Sequence, residues 1–349
     1  MTTKHKLDHS VQQFLITSLG GQPGDVIQLA GDASSRRYYR IVINDLSYVL
    51  MVWEPFIDNG QFPFLNVLSH FDKSGVKVPK VIAKAPALGV ILLEDLGDLT
   101  LERKFWENQN QNLALPYYKQ SIDEILKIHY TATKNISSPC VAFQVQFNTE
   151  KLLWEMNYGR DHFLTQFCKI NLGENLRREL DRIFLDICSF LDRQPKVICH
   201  RDYHSRNIML KHGKTKVIDF QDARMGAIQY DLVSLVHDSY VDLSPELSSE
   251  IIEYYLIRAK EMTGHTIERN NFYDVFRIQM IQRCFKACGS FASFFNMRED
   301  TRYLKYLTPT IKKVYAVLEP YEEYRAFSQI ILDNGLLEKN FLALEEAQK

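Results

Sequence analysis

The stretch Val197-Ile198-Cys199-His200-Arg201-Asp202-Tyr203-His204-Ser205-Arg206-Asn207-Ile208-Met209-Leu210, continued by Lys216-Val217-Ile218-Asp219-Phe220-Gln221-Asp222, decides how this chain is read. An apolar run leads into His-x-Asp followed by an Asn; the chain turns at His212-Gly213-Lys214; a second apolar run ends in an acid. Two short strands folded about that turn bring Asn207 and Asp219 to the same end of one strand pair. Two other readings fail on spacing. His200 and His204 are separated as in a helical zinc motif, but that motif needs a Glu after the first His and a helix; here Arg201 follows, in a loop. Gly213-Lys214-Thr215 mimics the end of a phosphate-binding loop, yet Ile208 stands where that loop requires Gly. Gly-x-Gly-x-x-Gly does not occur, so a dinucleotide fold has no support.

Upstream, Leu7, Val11, Phe14, Leu15 and Leu19 recur at a helical period, and Gly20-Gly21 and Pro23-Gly24 stop it. Strand-like runs follow at Val26–Ala30, Arg36–Ile43 and Tyr48–Trp53, joined by short turns. A helix is expected over Pro63–Phe71, then strands at Val78–Ile82 and Val90–Leu93. Beyond that, helical patterns dominate: Pro116–His129, Thr149–Phe167, Leu176–Leu191, and from Asp231 to the end. The expected fold is α+β and two-lobed. A small five-stranded antiparallel sheet with one helix occupies residues 1–94, a hinge 95–98, and a larger, mostly helical lobe 99–349. A cleft between such lobes is the natural place for a ligand.

The 349 residues carry 42 Lys and Arg against 43 Asp and Glu, a formal net charge of −1. No whole-molecule field favours nucleic acid or an anionic membrane as partner. No run approaches the ~18 apolar residues of a membrane helix, and the N-terminus lacks a signal-peptide core. Six scattered cysteines do not form a disulfide framework. A soluble, cytoplasmic protein is expected; the sequence sets no oligomeric state.

The loop and hairpin described above resemble the catalytic and metal-binding loops of protein-kinase-like phosphotransferases. Asp219-Phe220-Gln221 replaces Asp-Phe-Gly, no activation segment follows, and Gly226–Leu235 comes soon after. In this the chain is similar to the aminoglycoside phosphotransferase and choline kinase-like superfamily, which acts on small molecules. Gly31-Asp32-Ala33-Ser34-Ser35-Arg36-Arg37-Tyr38-Tyr39-Arg40, His200–Asn207 and Ile218–Ala223 look like the bacterial anomeric amino-sugar kinases. So do Leu153-Trp154-Glu155, Gln282–Ala292 and Asp300–Leu304. Those enzymes phosphorylate the 1-hydroxyl of N-acetylmuramate and N-acetylglucosamine in cell-wall recycling.

The resemblance implies ATP and Mg²⁺ as cofactors, with a nucleotide and a small-molecule sugar as the only partners. Asp202 would accept the hydroxyl proton and orient the nucleophile, and Asn207 and Asp219 would hold Mg²⁺. His200 and Asp231 would support the loop, Asp231 opening a helix. Gly31, Asp32, Ala33 and Ser34 would cover the nucleotide, and Glu94 and Leu96 would mark the hinge that meets adenine or another purine. His204, Arg206, Gln221 and Asp222 are candidates for contact with the sugar, Arg206 equally for bracing the loop or meeting the γ-phosphate. Glu155 is a more distant candidate, and Arg283 or Arg298 would meet a muramate carboxylate.

One departure stands out. The third strand of the superfamily carries a phosphate-binding Lys paired with a helix Glu; here Tyr48–Trp53 has no Lys and no Glu occurs between Glu54 and Glu94. Arg36, Arg37 or Arg40 is expected to supply the missing cation. Two other readings remain at this point: a kinase for another small alcohol or amine (an aminoglycoside, choline or another sugar), and a nucleotide-binding pseudokinase. The missing Lys favours the pseudokinase, and the complete Asp202, Asn207, Asp219 set opposes it.

Overall fold

A computed structural model describes residues 7–29, 36–136 and 139–343. The chain enters through α1 (His9–Leu19) and builds β1 (Asp25–Gln28), β2 (Arg37–Ile43) and β3 (Leu46–Val52). Then come α2 (Pro63–Lys73), β4 (Val81–Ala85) and β5 (Val90–Glu94). The five strands form one antiparallel sheet in the order β1-β2-β3-β5-β4. The β2–β3 turn is two residues long, Asn44 and Asp45, with φ of 49° and 62° and Ile43 opposite Leu46. Asn and Asp tolerate that left-handed geometry, which matches the twist of a hairpin. Strand β4 begins at Val81 and not at Val78, because Pro79 has no N–H to offer a ladder.

Alternation along β2 divides the sheet into two faces. Tyr39, Ile41 and Ile43 are buried with Leu50 and Leu92 beneath Val11 and Leu15 of α1. The opposite face presents Tyr38 and Arg40, with Met51 and Val49 as their cross-strand partners. Met51 joins Phe64, Val67 and Phe71 of α2 in the main core.

The rest of the chain is helical apart from two small β pairs. In order, its elements are α3 (Leu101–Trp106), α4 (Leu115–Leu126), α5 (Thr149–Gly159) and α6 (Glu174–Asp192). Next are β6 (Val197–Cys199), β7 (Ile208–Lys211), β8 (Lys214–Val217), β9 (Arg224–Gly226) and α7 (Ile228–Val236). The chain closes with α8 (Pro245–Thr263), α9 (Arg269–Arg298), α10 (Leu307–Leu318) and α11 (Arg325–Asp333). Strands β7 and β8 are the expected hairpin; β9, a three-residue strand antiparallel to β6, carries no alternation that would announce it. The long helix α9 runs through the middle, buried on nearly every side. It crosses α5 at a glycine pair: a Cβ on Gly289 would stand 2.5 Å from the Cα of Gly159. Among the described residues, no helix is long and apolar enough to cross a membrane.

Candidate active site

The loop after β6 is held from below by one carboxylate. Asp231 accepts from the backbone N–H of His200 at 2.6 Å and of Arg201 at 2.9 Å. Helix α7 starts at Ile228, so Asp231 lies in its first turn and does not open it; the carboxylate reaches across to the loop and leaves its own helix uncapped. His129 Nε2 lies 3.3 Å from Asp231 Oδ2, and Cys199 also approaches this buried carboxylate. His200 Nε2 lies 2.9 Å from the carbonyl of Ile218, which ties the loop to the strand end before Asp219. Tyr203 donates its hydroxyl to the Ser121 carbonyl at 2.6 Å, and Ser205 donates its N–H and its hydroxyl to Asp238 at 2.8 and 2.5 Å. With these anchors the loop tolerates Arg201 at φ 85°, a conformation that costs roughly 1–3 kcal/mol outside glycine.

Asn207 and Asp219 come together as the hairpin requires. Asn207 Nδ2 donates to the Asp202 carbonyl at 2.9 Å and lies 3.4 Å from Asp219 Oδ2. Asp219 also sits in the left-handed region, at φ 64°. It is fixed on both sides: Ile218 donates its N–H to the Asn207 carbonyl, and Phe220 is buried with its ring 5.3 Å from Phe64 and 5.9 Å from Phe71. Gln221 donates to Asp219 Oδ1 at 2.8 Å.

Asp202 stands among cations. Lys286 Nζ is 3.5 Å and Arg283 Nη2 3.6 Å from its Oδ1, and Arg201 Nε is 3.8 Å from its Oδ2. Burial alone would raise this carboxyl, but Lys286, Arg201 and Arg283 together hold it far below the usual carboxylate range. Burial in turn lowers the Lys286 amine, against the pull of Asp202. Beside Asp202 lies a cavity of about 160 Å³ lined by His204, Asp238, Tyr240, Arg283, Lys286 and Phe291, among others. His237, also in the lining, is pushed down to about 3 by burial and by Lys313, so it is neutral at pH 7.

The four residues expected to touch a sugar separate here. His204 lines the cavity, its ring edge-on to Tyr240. Arg206 does not: its fork is filled by Glu102 at 3.0 and 2.9 Å and by the Tyr306 hydroxyl, and it stacks on Tyr240 at 3.7 Å. That is a brace between the loop and α3. Gln221 is turned onto Asp219, and Asp222 pairs with Arg201 at 3.1 Å. Glu155 is fully buried, accepting from Gln282 at 3.0 Å and outside the cavity lining. Arg283 lines the cavity; Arg298, at the end of α9, does not. Lys286 and the side chain of Arg201 received no role from sequence. The signal was present in α9, where Arg283, Lys286, Ala287, Ser290, Phe291 and Phe294 share one helical stripe.

Of the residues expected to meet the nucleotide, Gly31, Asp32, Ala33 and Ser34 lie outside the described residues. The three arginines after them take different places. Arg37 shares the face of Tyr39 that turns to α1. Arg40 is clasped by Asp95 at 2.6 and 3.0 Å and by Asp98 at 3.0 Å, so two carboxylates already fill its fork. Arg36 lies over the Trp53 ring at 4.8 Å and bonds Tyr38, whose hydroxyl feels the charge of Asp219. Val49 and Met51 occupy the matching face of β3, where a phosphate lysine would stand. Residues 94–95 are gripped from the helical side too: Glu94 accepts from Lys216 at 2.5 Å and Lys211 at 3.2 Å, and Lys211 also donates to the Asp95 carbonyl. Leu96 is buried.

Residues 25–265 match the model of the phosphotransferase enzyme family. An N-acetylmuramate/N-acetylglucosamine kinase of Neisseria meningitidis serogroup B is 30% identical over 308 residues, 85% of this chain and 88% of that protein. One from Pseudomonas aeruginosa is 28% identical over 310 residues, 85% of this chain and 86% of the relative. Among solved structures, the gentamicin-APH(2")-IIa complex superposes with a TM-score of 0.58 at 15% identity, over 92% of this chain and 99% of that one. A choline/ethanolamine kinase family protein from Mesorhizobium loti does so with a TM-score of 0.58 at 16% identity, over 92% and 98%. The chain belongs to the phosphotransferase enzyme family and is a kinase that places a phosphoryl group on an alcohol.

Proposed function

We propose that this kinase transfers the γ-phosphoryl group of ATP to the anomeric hydroxyl of N-acetylmuramate, N-acetylglucosamine or both. The relatives' names supply the acceptor, and the cations around Asp202 carry the choice. An aminoglycoside or choline is itself a cation, and would have to enter beside Lys286 and Arg283. A neutral or anionic sugar meets no such repulsion.

Asn207 and Asp219 would hold Mg²⁺, whose charge offsets that of the phosphate oxygens. The donors suit it: one carboxylate and one amide oxygen are hard ligands, and this ion is commonly held by one or two carboxylates plus substrate phosphates. The Asn207 nitrogen is already bonded to the Asp202 carbonyl, so its oxygen is the atom available. Asp202 accepts a hydrogen bond from the acceptor hydroxyl and sets it in line. Held so firmly ionised, it contributes orientation more than basicity. An anomeric hydroxyl suits it, being more acidic than an ordinary alcohol. Arg36, over the Trp53 ring and bonded to Tyr38, would supply the phosphate contact for which β3 carries no lysine. Residues 95–98 form the hinge between a nucleotide lobe (1–94) and an acceptor lobe (99–349), and the cytoplasm, where ATP is abundant, is the site of the reaction.

Acceptor-dependent ADP release should be seen with N-acetylglucosamine or N-acetylmuramate and be at least tenfold weaker with choline or gentamicin. Faster turnover of either cationic acceptor would overturn the reading.

A further inference from the structure

Arg283 and Lys286 present an imbalance that Asp202 alone does not resolve. Both project from one stripe of α9 into the cavity, with side chains only 11% and 14% exposed. Each lies 3.5–3.6 Å from the same Asp202 oxygen, while charge-assisted hydrogen bonds close to about 2.7–2.9 Å. No other carboxylate lies within ion-pair distance of either among the described residues. Arg201 adds a third positive charge on the other oxygen of Asp202. Arg283 is also pinned: its Nε donates to Ser234 Oγ at 2.9 Å, which fixes the planar fork beside the cavity. A rigid guanidinium and an ammonium a turn apart, sharing one distant oxygen, make a receptor for a second carboxylate. Tyr240, Phe291 and Phe294 supply apolar wall on the same cavity, suited to a sugar ring.

We propose that Arg283 and Lys286 are the specificity-determining pair of the acceptor pocket: they receive a carboxylate carried by the sugar, while Asp202 beside them takes the acceptor hydroxyl. This rests on the reading that the acceptor is an N-acetylated amino sugar. N-acetylmuramate carries a lactyl carboxylate and N-acetylglucosamine does not, so the two acceptors separate the pair's role in recognition from its role beside Asp202.

The test uses the full-length chain and the ratio of kcat/KM for N-acetylmuramate to that for N-acetylglucosamine. Removing either charge, in Lys286→Met or Arg283→Met, is expected to lower that ratio about tenfold or more, mostly through KM for N-acetylmuramate. Lys286→Arg is expected to restore most of it. A ratio within about twofold of the unsubstituted enzyme in both variants, even if both rates fall, would overturn the assignment and leave the cations serving Asp202 alone. The same question is put to the unsubstituted enzyme with the methyl ester of N-acetylmuramate, which needs no variant to fold. The ester is expected to be about tenfold poorer than the acid, and equal rates would overturn the pair's role. Phosphorylation of both sugars with an unmoved ratio refutes this inference only, whereas phosphorylation of neither refutes the proposed function and this inference with it.

Discussion

At the scale of single residues, Asp202 is defined by its neighbours. Three cations within 4 Å keep it ionised, so Asp202→Asn should lower kcat by about 10²–10⁴, the usual worth of a positioned acid–base group. MgATP affinity, measured by equilibrium titration, should change little, and near-normal turnover would remove Asp202 from the chemistry. The pH profile follows from the same fields. Asp202 is held far below the ordinary carboxylate value, and burial lowers His204 below its ordinary value near 6.5. Neither group gains a proton between pH 7 and 8. We therefore expect kcat/KM to show no acid limb centred at or above about 6.5. A limb near pH 7 that disappears in His204→Gln would contradict this.

How much of the site could be read beforehand follows from the reach of each interaction. Asp202, Asn207, Asp219 and His200 were legible because one hairpin fixes their relations within twenty residues of chain. Arg206 and Arg40 were not: their partners Glu102, Asp95 and Asp98 lie across the fold, and an arginine's type does not say which carboxylate fills its fork. Lys286 was legible only as part of a helical stripe. Nothing along the chain states that this stripe faces Asp202.

At the scale of elements, β2 and the hinge are joined by the Arg40 clasp. Arg40→Ala should lower stability by about 1–2 kcal/mol, a modest value because Asp98 is exposed to solvent screening. Burial would raise the Asp95 carboxyl, but hydrogen bonds from Arg40 and the Gly97 amide hold it below its ordinary value. A depressed carboxylate stabilises the fold above its unfolded pKa of about 3.9 and loses that contribution as pH falls through the folded value. The stability gap between the unsubstituted protein and Arg40→Ala should therefore shrink below about pH 4 in denaturant titrations. An equal gap at pH 7 and pH 3 would refute the clasp. The α5–α9 crossing makes a second prediction. A methyl at Gly289 meets backbone, which cannot yield as a side chain can, so Gly289→Ala should cost about 1–3 kcal/mol in thermal or chemical unfolding. Most elements were legible from period and breakers; β9 was not, since three residues offer no period and the strand exists only because β6 lies beside it.

At the scale of the whole molecule, a formal net charge of −1 concealed the feature that matters most. Cations and anions cancel in the sum yet are not mixed evenly: the hinge gathers Glu94, Asp95 and Asp98 with Arg40, Lys211 and Lys216, while the cavity gathers Arg201, Arg283 and Lys286 about Asp202. The first cluster ties residues 94–98 to β2 and to the β7–β8 hairpin. The second places three positive charges around one buried carboxylate.

The ³¹P NMR spectrum of the full-length protein with MgATP and N-acetylglucosamine labelled with ¹³C at C1 tests the central claim most directly. The account predicts a new phosphomonoester resonance split by coupling to the labelled carbon, growing as ATP is converted to ADP and absent in Asp202→Asn. A sugar phosphate without that coupling, or no sugar phosphate from either N-acetylglucosamine or N-acetylmuramate, would contradict it.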